Sequence, residues 1–415
     1  MIIRLAWRNI WRNRRRAVIT MASVFFAVFF CILMLSFQSG TFGKMIDNTL
    51  RTQTGHIQIH NKAYWDDKTT DNFMFMDADV ITQLENINNI ENVSPRVETF
   101  AMAASGSVSK GIAVFGVSPG KEADKSHLSS RIIRGGYLSE TDDGILIGEG
   151  LSKYLKVTVG DTIALIGQGY HGSSAAGLFP VRGILKMITA EMDNSMAYIT
   201  LPAAQYFIDM PDGYSGILIS IKDNKLLEET MGVIRERLST LPAQASPLPP
   251  FKGGIEVYSW HFTMERLLQQ AESDKAIGMI IMGILYIIVG FGILGTVIML
   301  TNERKREFYV MISLGMSRMK LAAMVAIELV VMSLIGVATA FAITLPVTHW
   351  FKANPIEVSG NMGEMFIQYG MEPVLPMSVE SSIFTGQITT ILVIVAITAF
   401  YPVRKILKLK ISDKK

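Results

Sequence analysis

Residues 301–320 read TNERKREFYVMISLGMSRMK, a charged segment clamped between two long apolar runs at 276–300 and 321–347. A helix of about 20 apolar residues crosses the roughly 30 Å of bilayer hydrocarbon, so the two flanks hold this segment at a membrane surface. Glu303, Arg304, Lys305, Arg306 and Glu307 carry the preceding helix out into water. Phe308, Val310, Met311, Ile312 and Leu314 then supply an apolar face, Gly315 breaks the helix, and Ser317 and Arg318 start the next one. The pattern predicts a short amphipathic helix parallel to the membrane, suited to a groove on a peripheral protein. An ordinary basic loop would account for the charges but not for the apolar residues.

Two further runs, 17–37 and 383–401, are long enough to span, giving four spans in all. Glu328 is the only charged residue inside any of them, about 12 Å from the start of its helix. A carboxylate at that depth faces protein or water. It reads either as a residue for helix packing or coupling, or as a structural carboxylate capped by Ser or Thr of a neighbouring span. The composition, 49% hydrophobic and 18% charged with a mean hydropathy of +0.32, fits a membrane protein carrying a large water-soluble part.

Basic residues set the orientation, because Lys and Arg are retained on the cytoplasmic side. Residues 1–16 hold six, 301–320 hold five and the stretch after Tyr401 holds six. The loop between the third and fourth spans has Lys352 alone against Glu357, Glu364, Glu372 and Glu380. The insert 38–275 holds 21 basic and 28 acidic residues, a net charge of −7, and falls outside by the same alternation. The overall +3 therefore combines a basic inside with an acidic outside and does not point to nucleic acid. The apolar run after the Arg-rich start exceeds a signal-peptide core and lacks a small-residue cleavage site, so it reads as an anchor. Arg4, Arg8 and Arg12 recur every four residues, with Ile3, Ala6, Trp7, Ile10 and Trp11 on the other face, as in a helix lying in the inner interface.

The expected architecture is an α-helical membrane protein with four transmembrane helices and a large extracytoplasmic α+β domain inserted between helices 1 and 2. Its parts are a cytoplasmic amphipathic helix (1–16), a first span (17–40), the outer domain with stalks (41–275), a second span (276–300), the cytoplasmic segment 301–320, a third span (321–347), a short outer loop (348–382), a fourth span (383–402) and a cytoplasmic tail (403–415). In the outer domain, strand-like runs at 56–60, 111–117, 144–148, 162–167, 197–201, 216–221 and 255–260 alternate with helix-like runs at 79–88, 149–155, 202–208 and 224–240. A boundary between two lobes is placed at 120–130, and turn signals include the Pro-rich stretch 241–250.

No catalytic constellation stands out. The Gly-rich stretch 167–177 (GQGYHGSSAAG) lacks the Gly-Lys-Ser/Thr that a phosphate loop needs, as does the whole chain, and reads as a mobile hairpin tip or a partner contact. If ATP is used, another chain must bind it. His56 and His60 on a strand stand roughly 13 Å apart, too far to share a metal, and read as surface or packing residues. Cys31, the sole cysteine, sits in the first span as a packing residue.

The stretch ERKREFYVMISLGMSRMKL resembles the E-R-x-R-E…L-G-x-S-R coupling segment of the FtsX/MacB/LolCE superfamily of ABC-transporter permeases, also called type VII or mechanotransmission permeases. Glu303, Arg304, Arg306, Glu307, Leu314, Gly315, Ser317 and Arg318 fall on that pattern. LAWRNIWRNRRR at the start, VGDTIAL at 159–165, FPVRGIL at 179–185 and YPVRKILKL near the end are similar as well, so the resemblance covers essentially the whole chain. RTQTGHIQIHNKAY at 51–64 is similar to the lipoprotein-release branch, LolC and LolE. The chain departs from the pattern after Lys410, where Ile411-Ser412-Asp413 stands in place of a P-I-E-A-L ending.

The resemblance implies a MacB-like periplasmic core in the outer domain and a chain in the bacterial inner membrane that is a transport permease rather than an enzyme. It implies a separate LolD/MacB-like ABC ATPase that holds ATP and Mg²⁺ and grips the helix containing Phe308, a second permease copy or homologue, a periplasmic carrier or adaptor, and membrane lipid. Extraction of lipoproteins or another amphiphile is the expected function. An FtsX-like mechanical transducer and a MacB-like efflux permease are the alternatives.

Overall fold

In the computed structural model of the chain, residues 2–12, 14–123, 128–187, 189–239, 254–368 and 374–408 are described. The Pro-rich stretch 241–250, the centre of the expected lobe boundary and the end of the tail lie outside them. Along the chain, α1 (Ile2–Arg12) and α2 (Arg14–Thr49) lead to β1 (Ile57–Asn61), α3 (Ala78–Glu85), β2 (Ile90–Ser105) and β3 (Val108–Val117). β4 (Ile132–Gly135), β5 (Ile145–Gly148), α4 (Glu149–Leu155), β6 (Thr162–Gln168), β7 (Ser174–Leu185), β8 (Met196–Thr200) and α5 (Leu201–Phe207) follow. β9 (Gly216–Ile221), α6 (Leu227–Ser239) and β10 (Ile255–Ser259) precede α7 (Glu265–Glu303), α8 (Lys305–Ser313), α9 (Arg318–Ala353) and α10 (Ser381–Leu407). The chain forms two compact units, one of residues 1–44, 269–357 and 374–415 and the other of 45–268 and 358–373.

The first unit is helical. Four helices are long and apolar enough to cross a membrane: Ala17–Thr49, Glu265–Glu303, Arg318–Ala353 and Ser381–Leu407. α2 and α7 run well past the apolar runs into polar sequence, as a stalk would. α9 is the most enclosed helix, packed against α10 and α1, whereas α7 leaves most of its apolar surface open. Cys31 is buried, and Tyr286 donates to Gln387 Oε1 at 2.7 Å, a polar tie between α7 and α10.

The second unit is α+β. Its ten-stranded sheet runs β10-β1-β9-β2-β3-β8-β5-β7-β4, and β6 pairs with both β2 and β7. That double pairing closes β2, β3, β8, β5, β7 and β6 into a six-stranded ring. Side chains alternate across each strand, so Ala101, Ala103, Ile112, Val114, Ile163 and Leu165 fill the inside. Small residues at the first two positions suit so narrow a ring. A second core lies under α3 and α6, where Ile57, Ile59, Val93, Ile217, Ile219 and Leu84 meet.

The expected lobe boundary at 120–130 is corrected by β2. Its first half, Ile90–Arg96, pairs with β9 and its second half, Val97–Ser105, with β3, so the two cores divide along one continuous strand near Val97. Ser94, Pro95, Arg96 and Glu98 interrupt the apolar pattern of that strand and hide it from a periodicity reading. The Gly-rich stretch is also corrected. Gly167 and Gln168 end β6, Ser174 begins β7, and only 169–173 form the hairpin tip. The tip is tied down, because Thr70 donates to Gly169 O at 3.0 Å, Tyr170 N donates to Ile208 O at 2.8 Å and His171 N donates to Asp71 at 2.8 Å.

His60 is a packing residue, 3% exposed, with Nδ1 2.7 Å from Ser215 O and Nε2 2.8 Å from Gln58 Oε1. A neutral ring can donate to only one of these oxygens, but burial, the larger effect, pulls its pKa down to about 4. The unfolded chain therefore binds more protons below pH 6.5, and stability falls as pH drops from 6.5 towards 4. The expected loss is on the order of 3 kcal/mol. Thermal unfolding of the full chain should show this slope in the wild type and lose most of it in His60→Gln.

Candidate functional site

The 301–320 segment folds as a separate helix with both ends fixed. α7 ends at Glu303, and Arg304 sits in the break at φ −89°, ψ 7° before α8 begins. At the other end Gly315 takes φ +93°, a conformation that strains any side chain with a Cβ. Gly315 N donates to Ile312 O and Met316 N to Met311 O, both at 3.0 Å, the paired bonds of a Schellman stop. Ser317 then caps α9 by accepting from Lys320 N. Arg318 Nη1 donates to Leu407 O at the C-terminal end of α10, where a cation meets the helix dipole.

At the root of α8 the charges of three helices meet. Arg304 Nη1 donates to Glu328 Oε2 on α9 at 2.7 Å, and both side chains are buried. Arg304 Nε also reaches Glu307 at 3.2 Å, and Glu307 in turn pairs with Arg12 of α1. The partner of Glu328 is thus an arginine from the break before α8, where a Ser or Thr cap was one expectation. Arg12 was not singled out in the sequence as a site residue; its four-residue spacing with Arg8 was the available signal. Near the same level, Lys405 of α10 bonds Asn302 and donates to Tyr401 OH at 3.1 Å.

The single apolar face expected from Phe308 to Leu314 divides in two. Phe308 is 1% exposed and lies with Ala6, Leu321, Ala322, Met324 and Ile406, and Met311 and Ile312 lean on the same cluster. Val310 and Leu314 are exposed on the opposite side, with Met319 beyond them. The face that could meet another chain therefore comprises Val310 and Leu314 with exposed Arg306, while Phe308 and Arg304 work inside this chain. Glu303 is exposed at the end of α7. α1 shows a similar split. Ala6 and Ile10 are buried, but Trp7 and Trp11, expected on the same face, are each about half exposed with their rings edge to face. Among the described residues no group of three or more His, Cys, Asp or Glu could hold a metal ion.

Two family models divide the chain between them. Residues 17–237 match the MacB-like periplasmic core domain, and residues 279–411 match the FtsX-like permease C-terminal region. A chain with four membrane-length helices and matches to both of these models is a permease component of an ABC transporter. More narrowly, it belongs to the FtsX/MacB/LolCE family.

The lipoprotein-releasing system transmembrane protein LolC of Neisseria meningitidis serogroup B is 22% identical over 318 residues, covering 74% of this chain and 71% of that protein. LolE of Haemophilus influenzae is 23% identical over 240 residues, 56% of this chain and 54% of that one. The periplasmic region of MacB from Actinobacillus actinomycetemcomitans is similar at a TM-score of 0.37 and 13% identity, covering 55% of this chain and 98% of that one. The extracellular domain of YknZ from Gram-positive bacteria reaches 0.34 and 11%, covering 49% of this chain and all of that one.

Proposed function

We propose that this chain is the permease subunit of a lipoprotein-releasing ABC transporter in a bacterial inner membrane. Both termini and α8 face the cytoplasm, and the α+β domain between the first and second spans faces the periplasm. The distribution of Lys and Arg supports this orientation. A LolD/MacB-like ATPase holding ATP and Mg²⁺ grips the Val310 and Leu314 side of α8, a second permease copy or homologue completes the membrane assembly, and closure of the ATPase moves the outer domain. An amphiphile leaves the outer leaflet, and a periplasmic carrier receives it.

The observation that carries this reading is the construction of α8. It is a short helix with exposed apolar and basic residues, pinned at one end by Arg304 and at the other by Gly315. Reconstitution with the ATPase and a triacylated lipoprotein tests it, and a system that releases no lipoprotein on ATP addition rules it out. Capture of a cell-wall hydrolase by the full permease, with no lipoprotein carrier captured, would favour the mechanical-transducer reading instead.

Gly315→Val should uncouple the complex. A side chain at φ +93° is strained by about 1–2 kcal/mol, which re-aims α8 and corresponds to about a tenfold loss of permease-stimulated ATP turnover. Replacing Glu303 and Glu307 together by Lys should act in the same direction through the charges at the root. In both variants membrane insertion stays intact, and unchanged stimulation in the reconstituted complex would sink the idea.

A further inference from the structure

The charges at the root of α8 alternate in a row that runs from solvent to interior. Arg12 and Glu307 are 56% and 44% exposed, whereas Arg304 and Glu328 are 8% and 7% exposed. Exposed pairs of this kind hold little energy, because water and salt screen them. The buried pair is different in kind, because separating it leaves two desolvated charges. Arg304 Nη2 and Glu328 Oε1 make no hydrogen bond among the described residues, so a single 2.7 Å bond joins the two side chains. Beside this pair, Phe308 of α8 packs in one apolar cluster with Leu321 and Ala322 of α9, and apolar surfaces can slide over one another.

We propose that Arg304 and Glu328 are positioning residues that form a charged strut carrying movement of α8 into α9, steadied from α1 through Arg12 and Glu307. When a partner pulls on α8, the break at Arg304 moves with it, and Glu328 brings α9 along because the alternative is an unpaired buried charge. The strut rests on the reading of α8 as the helix an ATPase grips. Its purpose is directional, so an apolar pair of similar volume keeps the fold but loses the transmission.

The test uses Arg304→Met/Glu328→Met in the full permease, with and without its ATPase. In the reconstituted complex the double variant should still assemble with the ATPase, while permease-stimulated ATP turnover falls about tenfold. Stimulation within about twofold of wild type, with assembly intact, overturns the strut. A wild-type complex that shows no stimulation overturns the reading of α8 instead.

A second arm needs no ATPase. Glu307→Lys should raise hydrogen exchange across residues 325–332 about threefold in the otherwise wild-type permease, because the new cation repels Arg304, and should leave it unchanged in the Met/Met background. An equal rise in both backgrounds means that the charge at 307 reaches α9 without the pair, and the strut is then wrong whatever the ATPase does.

Discussion

Arg304→Met alone should cost the chain about 3–5 kcal/mol. It leaves Glu328 as a buried carboxylate without its 2.7 Å partner, in a stretch of α9 where Val325, Leu329 and Met332 are buried as well. Glu328→Met should cost less, because Arg304 keeps Glu307 at 3.2 Å. Arg304→Met/Glu328→Met should recover most of the loss, since removing both charges removes the desolvation that each imposed. The signature is therefore non-additivity: the double variant is more stable than the worse single one. Thermal unfolding of the detergent-purified permease measures it, and two singles whose costs simply sum in the double would show that the pair is not coupled. The measurement separates energy from purpose, because the variant that regains stability is the one expected to lose transmission.

Much of the fold was legible because bilayers and sheets impose strong periods. Four runs of about 20 apolar residues admit few readings, and the strand at 216–221 and the helix at 149–155 have the bounds read from the sequence. β2 was illegible for a local reason, its apolar pattern being broken at Ser94, Arg96 and Glu98. Closure of the ring was illegible for a distant one, since β6 meets β2 across some sixty residues and no period reports such a pairing. The site divides in the same way. Gly315 and Ser317 announce a stop and a cap through their own chemistry, whereas Arg12 and Glu307, 295 residues apart, reveal their pairing only in three dimensions. Glu328 was conspicuous as a lone charge in a span, yet which group neutralised it depended on how the break at Arg304 turns.

Phe308→Ala and Leu314→Ala should have opposite phenotypes, although both remove an apolar side chain from the same short segment. Residues two apart on a helix point about 200° from one another, and residues four apart only about 40°. Val310 and Leu314 therefore share a side that lies opposite Phe308, and a single docking face cannot contain all three. Phe308 is 1% exposed, so truncating it opens a cavity among Ala6, Leu321, Met324 and Ile406 and should cost about 3–5 kcal/mol. Leu314 is 82% exposed, and its truncation should change stability by less than about 0.5 kcal/mol. Buried against an ATPase, however, the same side chain contributes about 2 kcal/mol, so Leu314→Ala should weaken assembly by about thirtyfold. Unfolding midpoints of the permease and titration of the ATPase onto it distinguish the two variants. A Phe308→Ala protein of wild-type stability that fails to bind the ATPase would reverse the assignment of the faces. The opposite pair of results would mean that α8 presents its partner with a surface set by residues 310 and 314, while the residue between their flanks and the membrane helices fixes the angle at which that surface is held.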